Sequence, residues 1–444
     1  MRIHLSENFN YKKLLRFVFP SIMMMVFSSL YGIVDGLFVS NYVGKTAFAA
    51  VNFIMPFLMI LGTFGFMIGT GGSAIIAKTL GEGDKKKANE HFSMLIYTTL
   101  IFGALFAVLG IVFIKPFARL IGADEQMLGD CVEYGTIILC ALPFFMLQNV
   151  FQSFLVTAEK PHMGLFVTVA AGVANMVLDF LLIVPFKMGV AGAAVATAAS
   201  QAVGGLVPLV YFANGKNSSL LHLTKAPADF KTLGKVCTNG SSELMTNVSM
   251  SLVNILYNFQ LMRLEGKDGI AAFGVIMYAN WIFISIFIGY SIGSAPLVGY
   301  NYGAKNDAEL KNIFKKSFVI LTAMGILLTA ISVAFARPLA GIFIGYDKTL
   351  LALTEHGLRL FSLAFIFCGY NIYGSAFFTA LNNGVISAAI SFMRTLVFQS
   401  AVVIVLPIFF KTDGIWFSLL VSELLAFAVT FAFIFAKRKV YNYM

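Results

Sequence analysis

Stretches of about 20 mostly apolar residues, the length needed to cross a hydrocarbon core, recur twelve times along this chain. They fall at residues 14–40, 47–77, 92–114, 130–157, 164–186 and 190–213. They return at 237–262, 270–298, 313–336, 352–380, 385–410 and 413–436. Segments this long and this uniformly apolar predict membrane-spanning helices rather than the core of a soluble domain. The expected fold is an all-α integral membrane protein with twelve transmembrane helices in two six-helix bundles.

The two sets of six are related by an offset of 222 residues. Gly44-Lys45 pairs with Gly266-Lys267, Ala49-Ala50 with Ala271-Ala272, and Gly81 with Gly303. Lys115-Pro116 pairs with Arg337-Pro338, Gly135 with Gly357, Asn149 with Asn371, Pro185 with Pro407, and Gly192 with Gly414. Each repeat holds an even number of spans, so both enter the bilayer from the same side. The repeat is therefore parallel, with its pseudo-twofold axis along the membrane normal. The expected organisation is an N-terminal lobe over 1–213, a connector over 214–236 and a C-terminal lobe with a basic tail over 237–444. Two such lobes around a cavity open to one side at a time are the architecture of a secondary transporter.

Composition agrees: 59% of residues are hydrophobic, 12% are charged, and mean hydropathy is +0.85. Charge then sets orientation. The face bearing the termini carries 20 of the 31 Lys and Arg, including Arg2, Lys78, Lys85 to Lys87, Lys216, Lys231, Lys235 and Lys437 to Lys439. The opposite loops carry 9. By the positive-inside rule both termini and the connector are expected to be cytoplasmic, in a bacterial plasma membrane. The net charge of +10 reflects this bias and an anionic inner leaflet, not a nucleic-acid partner. No secretory signal is expected, because the first apolar stretch is long and lacks a small-residue cleavage site. Cys131, Cys140, Cys237 and Cys368 form no CxxC pair, and no metal centre or cofactor is expected.

Energy must then come from a gradient. Val43-Gly44-Lys45-Thr46 ends like a phosphate-binding loop, but Val39 stands where that loop needs glycine, and no connector is long enough for a nucleotide-hydrolysing domain. A gradient-driven machine needs ionisable groups inside the bilayer. Those present are Asp35 (first span), Asp179 (fifth), Glu243 (seventh), Arg394 (eleventh) and Glu423 (twelfth). A carboxylate at a helix centre costs about 2.5–3.5 kcal/mol on insertion scales, which marks it as functional unless a neighbouring helix satisfies it. Asn175 and Asp179 are four apart and share a helix face, while Thr197 in the sixth span and Asp35 lie at a comparable depth. Two carboxylates in a dry site cannot both ionise cheaply. This group is therefore expected to take up a proton, or to coordinate Na⁺ with the Asn and Thr oxygens. Pro20, four turns below Asp35, removes a backbone donor and is expected to loosen or kink the first helix. The cluster is not duplicated: Asp35 maps to Tyr257, Asn175 to Val397, Asp179 to Ala401 and Thr197 to Leu419. Glu243 ranks next, as an attractor for a cationic substrate or as a second proton carrier, with Glu423 beside it as a secondary acid.

Several lines of the chain resemble the multidrug and toxic compound extrusion (MATE) family of the MOP superfamily. They are Val34-Asp35-Gly36-Leu37-Phe38-Val39, Gly44 to Ala50, Ala77-Lys78-Thr79-Leu80-Gly81-Glu82-Gly83-Asp84, Asn175 to Asp179, and Gly189-Val190-Ala191-Gly192-Ala193-Ala194. The likeness covers essentially the whole chain and is similar to the staphylococcal-type multidrug pumps. It implies a monomeric, two-lobe antiporter that exports small amphipathic, often cationic compounds in exchange for H⁺ or Na⁺. In the DinF-like branch the coupling residues match Asp35, Asn175, Asp179 and Thr197, the bending proline matches Pro20, and Asn149 or Gln152 stands for a polar fourth-span member. The other branch matches Glu243 but expects an acid in the tenth span, where this chain has Asn371.

Two other classes compete. A flippase for lipid-linked oligosaccharide would carry several cavity Arg or Lys to hold a pyrophosphate, and only Arg394 lies deep in a span. A membrane enzyme would need a nucleophile constellation that this chain lacks, so no enzymatic activity is expected. The 46 Phe, 20 Met and 16 Tyr can line a soft, adaptable cleft for flat organic cations.

Overall fold

The computed structural model describes residues 3–120, 122–215, 217–345 and 347–444, in which helices are the sole regular element. Arg2 and Lys216 of the basic face, and the side chains of Lys45 and Thr46, lie outside the described residues. The first span is Tyr11–Phe38, which runs on through Pro20 and ends in a π-helical turn, Val39–Val43. Lys45–Gly81, Lys85–Leu120, Pro161–Ile183, Gly189–Ala213 and Asp307–Ala334 are the second, third, fifth, sixth and ninth. The fourth is a bent pair, Glu125–Cys140 and Leu142–Thr157, with an angle of 56°. The tenth is another, Lys348–Ser362 and Phe365–Ala380, at 49°.

The remaining four spans come from two long helices that double back. In Phe230–Gly303 the reversal is at Gly266, φ 63° and ψ −142°. Tyr257 and Phe273 flank it with ring centroids 4.7 Å apart, where a straight helix would hold them about 24 Å apart. The eleventh span begins as Gly384–Phe392, passes a π-helical turn at Met393–Phe398 and enters Gln399–Tyr441. That helix reverses at Lys411, φ 50° and ψ −128°, bringing Gly414 against the Leu406 carbonyl. Among the described residues the chain thus forms twelve membrane-spanning helices.

The duplication is visible in the turns. Gly44 and Gly266, Gly83 and Lys305, and Gly189 and Lys411 all have positive φ, and 266 − 44, 305 − 83 and 411 − 189 each equal 222. Between the fourth and fifth spans Glu159 matches Asn382, an offset of 223. The 222-residue offset is therefore interrupted: one residue is gained before the turn at Asn382 and lost after it.

Both termini, the connector and the even-numbered turns gather on one face. The connector is tied there by His222 N to Asn89 Oδ1 (2.6 Å), Thr224 N to Ser93 Oγ (2.8 Å) and Lys160 Nζ to Ser218 Oγ (3.1 Å). On this terminal face the halves press together through glycines. A Cβ on Gly240 would lie 1.9 Å from the Met67 carbonyl oxygen, one on Gly71 2.2 Å from that of Val236, and one on Gly303 2.1 Å from that of Lys78. Higher in the first span, Ile22 and Val18 meet Gly289 and Gly293 of the eighth. Small residues permit this backbone contact where lipid gives no hydrophobic push.

A strap crosses the same joint. Residues 3–10 run from the first half to the second: Leu5 N donates to Glu159 Oε1 and His4 Nδ1 pairs with Glu159 Oε2, both at 2.7 Å. Five residues on, Phe9 N donates to Glu309 Oε1 (2.9 Å), and Asn312 Nδ2 donates to Phe9 O (2.8 Å). Leu5 and Phe9 are both buried. Phe9→Ala should lower the unfolding free energy in detergent by about 3–5 kcal/mol, read by thermal denaturation. Gly240→Ala should instead shift spin-label distances between the terminal ends of the second and seventh spans outward, because the closed joint has no room for the methyl.

Candidate cation site

In the first half, three helices bring their polar groups to one place. Asn175 Nδ2 donates to Thr197 Oγ1 (3.5 Å), and Thr197 Oγ1 donates to Asp35 Oδ1 (3.3 Å). Asp179, one turn from Asn175, is fully buried, and Asp35 is the carboxylate that acts on it electrostatically. Among the described residues neither Asp179 oxygen has a hydrogen-bond partner, and Asn175 Oδ1 is also unpaired. The packing that creates this is legible locally. Gly172 lets the Tyr31 ring of the first span lie against the fifth, where a Cβ would meet it at 3.0 Å. The sixth span opens in Gly and Ala, so Thr197 approaches closely.

The fourth helix also contributes, through Tyr134 rather than through Asn149 or Gln152. Tyr134 is buried, its hydroxyl lacks a partner, and it lies within the field of Asp35 and Asp179 and near Thr197. Asn149 and Gln152 lie beyond the bend at Ala141. Asn149 packs its backbone against Gly69 of the second span, and no hydrogen bond joins either residue to the acid group among the described residues. The 56° bend at Ala141 separates Asn149 and Gln152, on the inner segment, from the outer segment that carries Tyr134. Pro20 is buried beside Ser21 and leaves the first helix unbroken from Tyr11 to Phe38.

The second half answers with neutral groups. Tyr257, at the position of Asp35, shares a 2.6 Å hydrogen bond with Ser418 and accepts from Gln399 Nε2 at 3.5 Å. Deeper lies a cavity of about 170 Å³, counted as room for water centres. Thr70, Ser73 and Ser153 face it from the first half, and Glu243, Trp281 and Arg394 are among the residues lining it from the second. Asp35, Asn175, Asp179 and Thr197 do not line it. Arg394, on the π-helical turn, places Nε and Nη2 at 2.8 and 2.7 Å from Glu423 Oε1. Glu423 Oε2 accepts from Asn371 Nδ2 (2.7 Å), and Asn371 Oδ1 from Thr430 (3.0 Å). Two of the deep charges therefore satisfy each other, while Glu243 stays outside the pair.

The chain matches the MatE family model twice, over residues 20–181 and 244–405. The chain belongs to the MatE family. Each match covers the first five spans of one half; the first includes Asp35, Asn175 and Asp179, and the second includes Tyr257, Asn371 and Arg394 but ends before Glu423. Relatives within the family include the multidrug export protein MepA of Staphylococcus saprophyticus, 26% identical over 81% of this chain and 80% of that protein. MepA of Staphylococcus haemolyticus is 24% identical over 96% and 94%. Among solved structures, a MATE in complex with MaL6 superimposes with a TM-score of 0.93 at 22% identity, covering 99% and 98% of the chains. An outward-facing multidrug resistance MATE transporter of the MOP superfamily gives the same score, identity and coverage. These likenesses fix the MatE fold: a multi-pass, two-bundle membrane transport protein.

The ion pair yields a stability test. Arg394→Gln leaves Glu423 buried without its cation, and thermal unfolding in detergent should lose about 3–5 kcal/mol. Adding Glu423→Gln to that variant should recover most of the loss.

Proposed function

We propose that this MatE protein is a secondary active multidrug efflux antiporter, exporting small amphipathic cations in exchange for H⁺ or Na⁺. The observation that carries the proposal is the set of orphaned oxygens around Asp179. Among the described residues both carboxylate oxygens, Asn175 Oδ1 and the Tyr134 hydroxyl are buried without a hydrogen bond, with the Asp35 carboxylate and Thr197 close by. Such a group is costly unless a cation completes it. A proton gives Asp179 a donor and removes its repulsion with Asp35; Na⁺ gives every orphaned oxygen a partner. Release of that cation restores the unstable arrangement, so occupancy couples to which packing of the first lobe is favoured.

With the basic terminal face in the cytoplasm, the glycine joint and the strap close the inner side, and the cavity faces outward. Efflux then runs by alternating access: a drug cation leaves the opened cavity, and the coupling ion enters from outside and drives the return. Glu243, free of the Arg394–Glu423 pair, supplies negative charge to hold a cationic substrate, with Trp281 and Phe273 as aromatic walls. The export of several drugs by the staphylococcal MepA relatives supports the substrate class. The flippase alternative has less support, since Arg394, the one arginine lining the cavity among the described residues, is already neutralised.

The deciding experiment is ethidium efflux from proteoliposomes with pH and sodium gradients imposed separately. One gradient should drive export and the other should not. Asp35→Asn and Asp179→Asn should each reduce driven export to the level of empty vesicles while leaving the purified protein folded. Unchanged driven export in both variants contradicts the assignment. Tyr134→Phe, which keeps the ring and removes the unpaired hydroxyl, should slow export less than either aspartate change.

A further inference from the structure

A wide pocket of about 790 Å³ opens on the terminal face, directly against the joint that closes that end. Lys78 and Lys87 reach it from the ends of the second and third spans, and Lys231 and Lys235 from the start of the seventh. Four lysines thus converge from both halves, and Glu82 is the one carboxylate in the lining. Lys78 leans toward Glu82 at 3.7 Å and over the Tyr302 ring. Lys87, Lys231 and Lys235 have no side-chain partner among the described residues. His91 also lines the pocket; it is 8% exposed, and its Nδ1 has no hydrogen-bond partner. Asp84, Glu90 and Asp229 line an adjoining recess that shares Lys87 and His91, so the anion-binding charge rests on the lysines and not on this ring. The pocket wall also carries an exposed apolar side chain: Val385 is 70% exposed.

We propose that this pocket binds the phosphate headgroup of an anionic phospholipid, and that the bound headgroup fastens the terminal face shut. Basic pockets between transmembrane helices on the cytoplasmic side suit acidic headgroups. The lysines meet only while the joint is closed. If the halves part there, Lys78 and Lys87 move away from Lys231 and Lys235, and the site is dismantled. A ligand that binds one arrangement better shifts the protein toward it. The exposed Val385 side chain in the wall favours a lipid over a free anion, because an acyl chain covers it as soluble phosphate cannot.

The test uses the full-length chain in neutral detergent, titrated with dioleoyl phosphatidylglycerol, dioleoyl phosphatidylcholine or inorganic phosphate, with thermal unfolding as the readout. Phosphatidylglycerol should raise the Tm saturably, and the other two should not. Lys87→Gln, Lys231→Gln and Lys235→Gln combined should weaken the apparent affinity roughly 100-fold, at about fivefold per lysine. A control with Lys437→Gln and Lys439→Gln in the basic tail should keep the full response. In parallel, spin labels at Lys85 and Gly234, both exposed, should report a larger short-distance population with phosphatidylglycerol. An equal Tm rise with phosphatidylcholine, or an undiminished response in the triple variant, overturns the site. An equal rise with inorganic phosphate overturns the lipid as its source. Should the triple variant fold poorly, Lys231→Gln alone must still show the fivefold loss. None of these readouts involves drug transport, so the result stands apart from the efflux reading.

Discussion

Burying a carboxylate in a membrane protein is expensive, and the cost is usually met by a partner such as the arginine that grips Glu423. Asp179 has no such partner. Its two oxygens, with those of Asn175 and Tyr134, are buried where four helices meet, and the charge that acts on it among the described residues is another carboxylate. The contrast between the two halves gives this its force. The same duplicated scaffold holds an unsatisfied acid on one side and a closed ion pair on the other. On the proposed reading a mobile cation completes the first half, while the second holds its ion pair without one.

The joint between the halves is compatible with that division of labour. On the terminal face backbones meet through glycine with no side chains between them, a contact that is either made in full or lost. The strap of residues 3–10 ties Glu159 to Glu309 across it. Away from this face the cavity separates the halves, and Glu243 stands in it without a pairing cation. A change in packing around Asp35 can reach the joint along the first span itself, since Val18, Ser21 and Ile22 of the same helix rest on Gly289 and Gly293.

Much of this was legible in the sequence. Apolar length gave the twelve spans, and the 222-residue offset gave two matched halves whose turns share positive φ at corresponding positions, as at Gly44 and Gly266. The stacking of Asn175 on Asp179 follows from helical spacing alone. What failed did so for geometric reasons. The fourth-span member of the acid group is Tyr134, since a 56° bend, invisible in an apolar run, redirects the outer segment. A Pro at position 143, just past the bend, was the available signal. Arg394 and Glu423, deep charges of opposite sign, could be expected to pair, and they do; that Asn371 joins them from the tenth span is shown by no pattern within one helix. The strap was also beyond reach, because the first ten residues show no periodicity and their role rests on two distant glutamates.

The central claim, that the site around Asp179 holds an exchangeable cation, is tested most directly by infrared difference spectroscopy of the purified protein. Spectra are taken during titration with acid and, separately, with Na⁺. The wild type should show a protonated-carboxyl band that appears with acid, or a carboxylate shift that appears with Na⁺, and either signal should be absent from Asp179→Asn. Identical difference spectra for wild type and Asp179→Asn under both titrations would contradict it.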